Sequence, residues 1–284
     1  MTASDPTLED PRALLAWYVA AGVDEAIGEA PVDRTVAPLP LPAAAPVARP
    51  APPRAPDPEL LRAAPSAPAA AVPRVALAGN ADSRALAAAC TSLAELEAAV
   101  RGFDGCALRA TATNTVFADG NPAAAVMLVG EGPGAEEDRL GLPFVGASGK
   151  LLDRMLAAIG LDRTRAYITN VVYWRPPGNR TPTPAELALC QPFVERHIAL
   201  TQPKVLIFSG GTAAKTLLGR SEGITRLRGR WFDFEPGAGE PAIPAIATFH
   251  PSYLLRTPTA KREAWRDLLA VKRKLEELTG IRAD

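Results

Sequence analysis

Four short, continuous apolar runs place the strongest constraint on the fold of this 284-residue chain. The runs are AVMLV (125–129), AYITNVVYW (166–174), KVLIFS (204–209) and IPAIATF (243–249). Segments with apolar residues at helical spacing lie between them. Strands that are buried on both faces have continuous apolar runs, and their alternation with helices is typical of parallel sheets. The sequence therefore predicts an α/β fold with three α/β/α layers around a central, mostly parallel four-stranded sheet.

The composition divides the chain into three parts. Residues 1–30 include DPRALLAWYVAAGVDEAI, whose apolar spacing predicts a short amphipathic helix. Residues 31–80 are mostly Ala and Pro, which predicts a disordered linker because such a segment buries too little apolar surface to fold. Residues 81–284 have a globular composition and form the predicted folded domain. The N-terminal helix either docks on a partner protein or on this domain, or is an inert extension.

Charge and cysteine content exclude several classes of protein. Basic and acidic residues balance at 31 each, so no bulk field attracts the chain to nucleic acid or membrane. Three scattered cysteines and two histidines offer no zinc-site spacing and indicate a reducing compartment. No apolar run approaches the ~20 residues that a membrane span needs. The N-terminus lacks the pattern of a secretory signal. We therefore expect a cytoplasmic protein with no metal ion and no membrane partner.

Two segments look like phosphate-binding loops but lack the residues that such loops require. In VGASGKL, Phe144 stands where the GxxxxGK motif has its first glycine, and Leu151 stands where the motif ends in Ser or Thr. The segment SGGTAAKT has no Gly-Lys pair. Hydrolysis of nucleoside triphosphates is therefore not expected.

Polar and glycine residues follow each predicted strand. Glu131 lies in the turn Gly130–Gly134 after the first run, Asn170 lies inside the second, and His250 follows the fourth. Ligands bind beyond the carboxyl ends of strands in open parallel sheets, so these side chains are expected to converge on one site. Taken alone, each residue also has a purely structural explanation. Glu131 could cap a turn, Asn170 could contact a loop, and His250 could be a packed turn residue. Their joint placement favours the functional interpretation.

Three ordered motifs resemble the family 4 uracil-DNA glycosylases. They are VGEGPGAEEDRLGLPFVGASGKLLDRML, YITNVVYWRPPGNRTPTPAELALC and FHPSYLLR, and the resemblance extends from about Gly105 to the C-terminus. It implies a uracil-DNA glycosylase-like catalytic domain in residues 81–284. It also implies an enzyme that hydrolyses the N-glycosidic bond of uracil in DNA and thereby starts base excision repair. Apart from Lys150, no lysine stands in the motifs to form a Schiff base with the abasic sugar, so the enzyme is expected to be monofunctional.

The resemblance also implies a role for each residue of the site. Phe144 stacks on the uracil that is flipped out of the DNA, and Asn170 reads its O4 and N3–H. Glu131 positions or activates the attacking water and stabilises positive charge on the sugar. His250 donates to uracil O2 as negative charge develops on the leaving base. Backbone amides of the turn that contains Gly130 and Gly132 contact the base or a flanking phosphate.

DNA contacts are expected on both sides of this site. Ser252, Leu254, Leu255 and Arg256 follow His250, where the family wedges the duplex. Arg228, in the basic segment RLRGR, is either a phosphate contact or part of a solvated loop. We expect uracil-containing DNA, single- or double-stranded, as the partner of a monomeric, nucleoid-associated enzyme. A protein partner for the N-terminal helix is a further expectation.

The cysteine pattern departs from the family, whose members usually hold a 4Fe–4S cluster on four cysteines. Cys106 and Cys190 match two of the four ligand positions, whereas Phe103 and Trp174 stand at the other two. We therefore predict no cluster, with the two aromatic side chains filling its volume as a pair. The alternative is a labile cluster that Cys90 and an exogenous ligand complete.

Two other functions compete with the glycosylase. A non-catalytic DNA-binding or polymerase-associated module of the same fold would use the N-terminal arm as a tether. A hydrolase of free nucleotides would use the same pocket. Retention of Glu131, Phe144, Asn170 and His250 together favours the DNA glycosylase.

Overall fold

The computed structural model describes residues 74–237 and 239–280. The predicted N-terminal helix in residues 1–30 and the linker up to residue 73 lie outside the described residues. The first helix among the described residues spans Arg74–Ala89, so the predicted domain boundary at residue 81 falls inside a helix.

A six-stranded sheet forms the centre of the described domain, with strand order β1-β3-β2-β4-β6-β5. Strands β2, β3, β4 and β6 are mutually parallel neighbours, and β1 and β5 are antiparallel edge strands. The strands are β1 (Asp119–Gly120), β2 (Val126–Gly130), β3 (Ala166–Asn170), β4 (Val205–Ser209), β5 (Trp231–Phe234) and β6 (Ile243–Thr248). The register pairs Gly130 with Asn170, which brings the ends of β2 and β3 side by side.

Helices precede the sheet, connect its strands and follow it. They are α1 (Arg74–Ala89), α2 (Leu93–Gly102), α3 (Ala107–Thr111), α4 (Ala135–Leu140), α5 (Ala147–Ala157), α6 (Pro184–Thr201), α7 (Gly211–Leu218), α8 (Ile224–Leu227), α9 (Pro251–Arg256) and α10 (Lys261–Thr279). Helix α6 begins at Pro184 because Thr183 caps it and Glu186 completes a capping box. Pro184 occupies the first turn, where its missing N–H costs no hydrogen bond.

Alternate side chains of the central strands enter two separate cores. Met127 and Val129 belong to the core that contains α6 and α7, whereas Val126 and Leu128 belong to the core that contains α5 and α10. Every residue of β2, β3 and β4 is buried, as expected for strands covered on both faces. The predicted three-layer α/β/α fold is confirmed.

The strand prediction was right for the four central strands and incomplete at the edges. Strand β1 has only two residues, and β5 is an edge strand in which only Phe234 is buried, so neither forms a continuous apolar run. The second predicted run is also too long, because β3 ends at Asn170. Val171 and Val172 leave the sheet and donate backbone hydrogen bonds to the turn that follows β2.

In the part of the chain that the structure describes, no helix combines the length and apolar character of a membrane span.

Candidate active site

A pocket of about 570 Å³ lies at the carboxyl edge of the sheet, where β2, β3 and β6 end. Loops after these strands supply most of its wall, as the geometry of open parallel sheets requires. The predicted residues that line it are Glu131, Gly132, Phe144, Asn170, His250, Ser252 and Arg256. The structure thus brings together side chains that are more than a hundred residues apart in the chain.

Glu131 lies in the turn directly after β2, where its carboxylate faces the pocket. Its Oε2 accepts a hydrogen bond of 2.8 Å from the hydroxyl of Thr212, in the first turn of α7. This bond fixes one carboxylate oxygen and leaves the other available to a ligand or water.

Asn170 ends β3 with its side chain 2% exposed. Among the described residues, no hydrogen-bond partner is found for its side-chain amide. Gly130 lies next to it, and a Cβ atom on Gly130 would lie 2.5 Å from both Asn170 Oδ1 and the ring of Phe144. Glycine is therefore required there for both side chains to reach the pocket. Burying an amide without a partner costs free energy, so this arrangement indicates a ligand that pairs with it.

Phe144 forms an apolar wall of the pocket. Its ring lies 5.3 Å from that of His250 at an interplanar angle of 30°. The residue has a φ of 54°, in the left-handed region that side chains other than glycine rarely adopt. Such a conformation persists only where neighbouring groups hold it. The ring is therefore a fixed surface rather than a mobile one.

His250 precedes α9 and contacts Ser252 through Nδ1. The backbone N–H of Ser252 donates to Nδ1 at 3.2 Å, and its hydroxyl oxygen lies 2.8 Å from the same atom. Burial, with a smaller contribution from the charge of Arg256, lowers the pKa of His250 to about 4, and the charge of Glu137 opposes this change. Because Nδ1 accepts from an obligatory donor, the neutral ring carries its proton on Nε2.

Glu137, which the sequence analysis did not identify, joins two loops of the pocket. Its Oε2 accepts from the backbone N–H of Gly134 at 3.1 Å, and its Oε1 accepts from those of Val145 and Gly146, each at 3.0 Å. One buried carboxylate thereby connects the turn that carries Glu131 with the loop that carries Phe144. Its position three residues after Gly134, where a helix begins, was the available signal.

Comparison with known proteins identifies the family. The family model of the uracil DNA glycosylase superfamily matches residues 117–269, which is more than half of the chain. The chain belongs to the uracil-DNA glycosylase superfamily.

Curated members of the superfamily support this assignment. The chain is similar to the type-4 uracil-DNA glycosylase of Thermotoga maritima, with 44% identity over 158 residues that cover 55% of this chain and 80% of the relative. It is also similar to the type-4 enzyme of Archaeoglobus fulgidus, with 39% identity over 179 residues, 62% of this chain and 87% of the relative. The resemblance to family 4 that the motifs indicated is confirmed.

The structure contradicts the prediction that Leu254 contacts the DNA duplex. Leu254 is 1% exposed and packs in a core with Phe249 and Ala264, because α9 turns it toward the protein interior. Leu255 is 44% exposed and Tyr253 is 36% exposed, so these two side chains form the apolar surface of α9 instead.

Arg228 is also placed differently from its prediction. Its guanidinium donates to Asp267 at 2.6 and 3.1 Å and to the backbone carbonyl of Glu263 at 2.6 Å, and it lies over the ring of Phe249. Only 16% of the side chain is exposed. The guanidinium therefore joins α10 to the segment before β5 and has little surface left for a phosphate. Arg180 and Arg256 are the cations that line the pocket of this superfamily member.

The remaining cysteines of this superfamily member do not fit a 4Fe–4S cluster. Cys106 and Cys190 are buried, and a hydrogen bond between the two thiols, together with burial, raises the pKa of Cys190 well above its usual value. Phe103 and Trp174 are both buried at the other two positions. Their rings pair not with each other but with Phe193 and Tyr173 respectively. Within the described ranges, no group of three or more His, Cys, Asp or Glu side chains is arranged to hold a metal ion.

Proposed function

We propose that this chain is a monofunctional uracil-DNA glycosylase that hydrolyses the bond between uracil and deoxyribose in DNA and leaves an abasic site. The observation that carries the proposal is the buried side-chain amide of Asn170, which has no partner among the described residues and lines the pocket beside Phe144 and His250. Membership of the superfamily supports the same chemistry.

Recognition of the base follows from the residues at the closed end of the pocket. An enzyme that acts on a base in DNA must take it out of the stack and into a pocket. Phe144 offers a rigid ring for stacking. The Asn170 amide donates from Nδ2 to uracil O4 and accepts at Oδ1 from N3–H. In this orientation of the amide, cytosine mismatches both contacts because it presents an amino group and an unprotonated N3 at these positions.

Cleavage of the glycosidic bond leaves negative charge on the base and positive charge on the sugar. The Nε2–H of neutral His250 donates to uracil O2 as that charge develops, and the low polarity around the half-buried ring strengthens this hydrogen bond. Glu131, oriented by Thr212, positions the attacking water and stabilises the sugar cation. No lysine is found among the described residues that line the pocket, which supports hydrolysis without a Schiff base.

DNA approaches from the open side of the pocket. Arg180 and Arg256 at its rim contact phosphates, and the exposed Tyr253 and Leu255 of α9 fill the space that the flipped nucleotide leaves. We further propose that the enzyme acts as a monomer in the cytoplasm near the nucleoid, and that the N-terminal helix binds a protein partner.

We also propose that the enzyme works without an iron–sulfur cluster. The chain has three cysteines where such a cluster needs four ligands, and two of the expected positions are packed with aromatic rings. Anaerobically purified protein is expected to contain no iron or sulfide and to be colourless. A brown colour with broad absorption in the visible blue, together with protein-bound iron and sulfide, would contradict this proposal.

Release of uracil from a labelled single-stranded oligonucleotide tests the function directly. We expect activity in the wild type and a loss of at least ~100-fold in Asn170→Ala and in His250→Ala, as for other removed transition-state donors. Asn121→Ala is the matched control, because that amide bonds only to Thr164 and its own turn at the far end of the sheet. If the wild type folds and binds DNA but shows no activity, the result would favour a non-catalytic DNA-binding module over the enzyme. Activity on free deoxyuridine nucleotides but not on the oligonucleotide would favour the nucleotide hydrolase.

A further inference from the structure

The conformation of Phe144 requires support from outside the pocket. Its φ of 54° lies in the left-handed region, which is unfavourable for any residue that carries a Cβ atom. The ring is 4% exposed and contributes the stacking surface for the base. Whatever holds the Phe144 backbone therefore determines where the base lies.

Arg163, in the loop between α5 and β3, holds this backbone from behind the pocket. Its guanidinium donates to the carbonyl oxygen of Phe144 through a short hydrogen bond and to that of Pro143 at 3.2 Å. Asp119 and Asp153 accept from the same guanidinium and fix its orientation. Arg163 does not line the pocket, so it cannot touch the base itself.

The opposite side of the Phe144 carbonyl is closed by helix α5. A Cβ atom at Gly149 would lie 1.7 Å from the carbonyl oxygen of Phe144, so only glycine allows the helix to approach this closely. The carbonyl is therefore confined between the helix backbone and the Arg163 guanidinium. Loss of the guanidinium would remove the only charged donor found for it among the described residues.

We propose that Arg163 is a positioning residue for base recognition, acting through the backbone of Phe144; the proposal rests on the function proposed above. A guanidinium is required because it serves two carbonyls and two carboxylates in one plane, which the single ammonium group of lysine cannot reproduce. Arg163 sets the position of the stacking ring relative to Asn170 and His250, and through it the alignment of the glycosidic bond.

A double-mutant cycle with kinetic measurements tests this proposal. The variants are Arg163→Gln, Arg163→Lys, Phe144→Leu and Arg163→Gln with Phe144→Leu, assayed well below their melting temperatures. We expect Arg163→Gln to lower kcat by ~10- to 100-fold while KM for the oligonucleotide changes little, since misplacing a bound group by about 1 Å has this effect. Arg163→Lys should restore part of kcat. Arg165→Gln, which removes a nearby exposed guanidinium that bonds to Gly160, should match the wild type.

The decisive comparison is the effect of Arg163→Gln in the two backgrounds. If Arg163 acts through Phe144, the substitution should cost less than about threefold when the aromatic ring is already absent. Equal losses in both backgrounds, or no loss in either, would overturn the proposal while the wild-type activity still supports the glycosylase. An inactive wild type would instead overturn the proposed function, and this inference with it.

Discussion

At the scale of single residues, the hydrogen bonds of His250 determine which protonation state is active. The N–H of Ser252 can only donate, so Nδ1 must stay unprotonated for the ring to keep its orientation. Burial, with help from Arg256, lowers the pKa of His250 to about 4, below the ordinary value of ~6.5. The neutral Nε2–H tautomer is therefore present throughout the physiological range.

This pKa predicts an unusual pH profile. The rate of base release should be independent of the His250 charge from about pH 8 down to about pH 5, and should fall as the pH passes through about 4. Below that value Nδ1 gains a proton and loses the hydrogen bond from Ser252. Single-turnover rates in overlapping buffers, with circular dichroism to confirm folding, measure the profile. A decline centred near pH ~6.5, the ordinary histidine value, would show that the ring titrates freely.

Glu137 gives a second prediction at this scale. In Glu137→Gln, a side-chain NH₂ group replaces one oxygen and must face a backbone N–H, so at least one of the three amide contacts is lost. We expect the uracil-release rate to fall by about 10-fold or more because the loops of Glu131 and Phe144 are no longer joined. Glu136→Gln is the matched control, because that carboxylate pairs with Arg139 on the surface. Equal rates in the two variants would exclude the proposed connection.

The residues of the pocket differ in how far the sequence predicts them. Glu131 and His250 stand directly after apolar runs and Asn170 lies within one, so the sequence predicts them near the edge where a parallel sheet has its ligand site. Glu137 and, behind the pocket, Arg163 do not follow from the sequence, because both bind backbone atoms of loops whose shape no local pattern encodes. The burial of Leu254 was missed for a related reason, since the phase of the short helix α9 is set by its packing.

At the scale of elements, helix α6 carries a buried histidine that makes folding sensitive to acid. His197 lies against Phe117 with ring centroids 4.4 Å apart, and its Nε2 lies 3.0 Å from the hydroxyl of Tyr167. Burial lowers the pKa of His197 to about 3. Between that value and ~6.5 the unfolded chain binds a proton here that the folded chain does not, so the free energy of unfolding falls as the pH falls.

The expected effect can be measured by urea unfolding. His197 should contribute a loss of about 2 kcal/mol in the free energy of unfolding between pH 7 and pH 5, from the linkage relation with an unfolded pKa of ~6.5. His197→Phe keeps the ring stack and removes the titrating group. The variant should therefore lose about 2 kcal/mol less than the wild type over this interval, whatever its stability at pH 7. Identical slopes would mean that His197 has the same pKa in the folded and in the unfolded chain.

The sequence predicts the strands that are buried on both faces and misses the edge strands, which are not. Strands β2, β3, β4 and β6 contact both cores, and for this reason their sequences are continuous apolar runs. Strand β5 exposes Trp231 and pairs on one side only, so its pattern is weaker. The edge strands affect the site little, because every strand end at the pocket belongs to the central four.

At the scale of the whole molecule, one sheet supports both the cores and the pocket. Every residue found to line the pocket lies between Glu131 and Arg256. The match to the superfamily, residues 117–269, encloses this interval. The chemistry is therefore assigned to the described domain, and the Ala- and Pro-rich segment before it is proposed to act on partners rather than on the base.

This division predicts the effect of removing residues 1–73. The shortened chain keeps α1, both cores and the whole lining of the described pocket. It should therefore fold and release uracil from a short oligonucleotide within about twofold of the full chain, because truncations that leave the buried backbone intact are usually tolerated. Rates and melting temperatures of the two chains, measured side by side, provide the test. A shortened chain that folds normally but loses activity on the short oligonucleotide would place part of the DNA-binding surface in the N-terminal segment. If the shortened chain keeps its activity on the short oligonucleotide but binds a repair or replication protein more weakly, the result would support a role of the N-terminal segment as a tether.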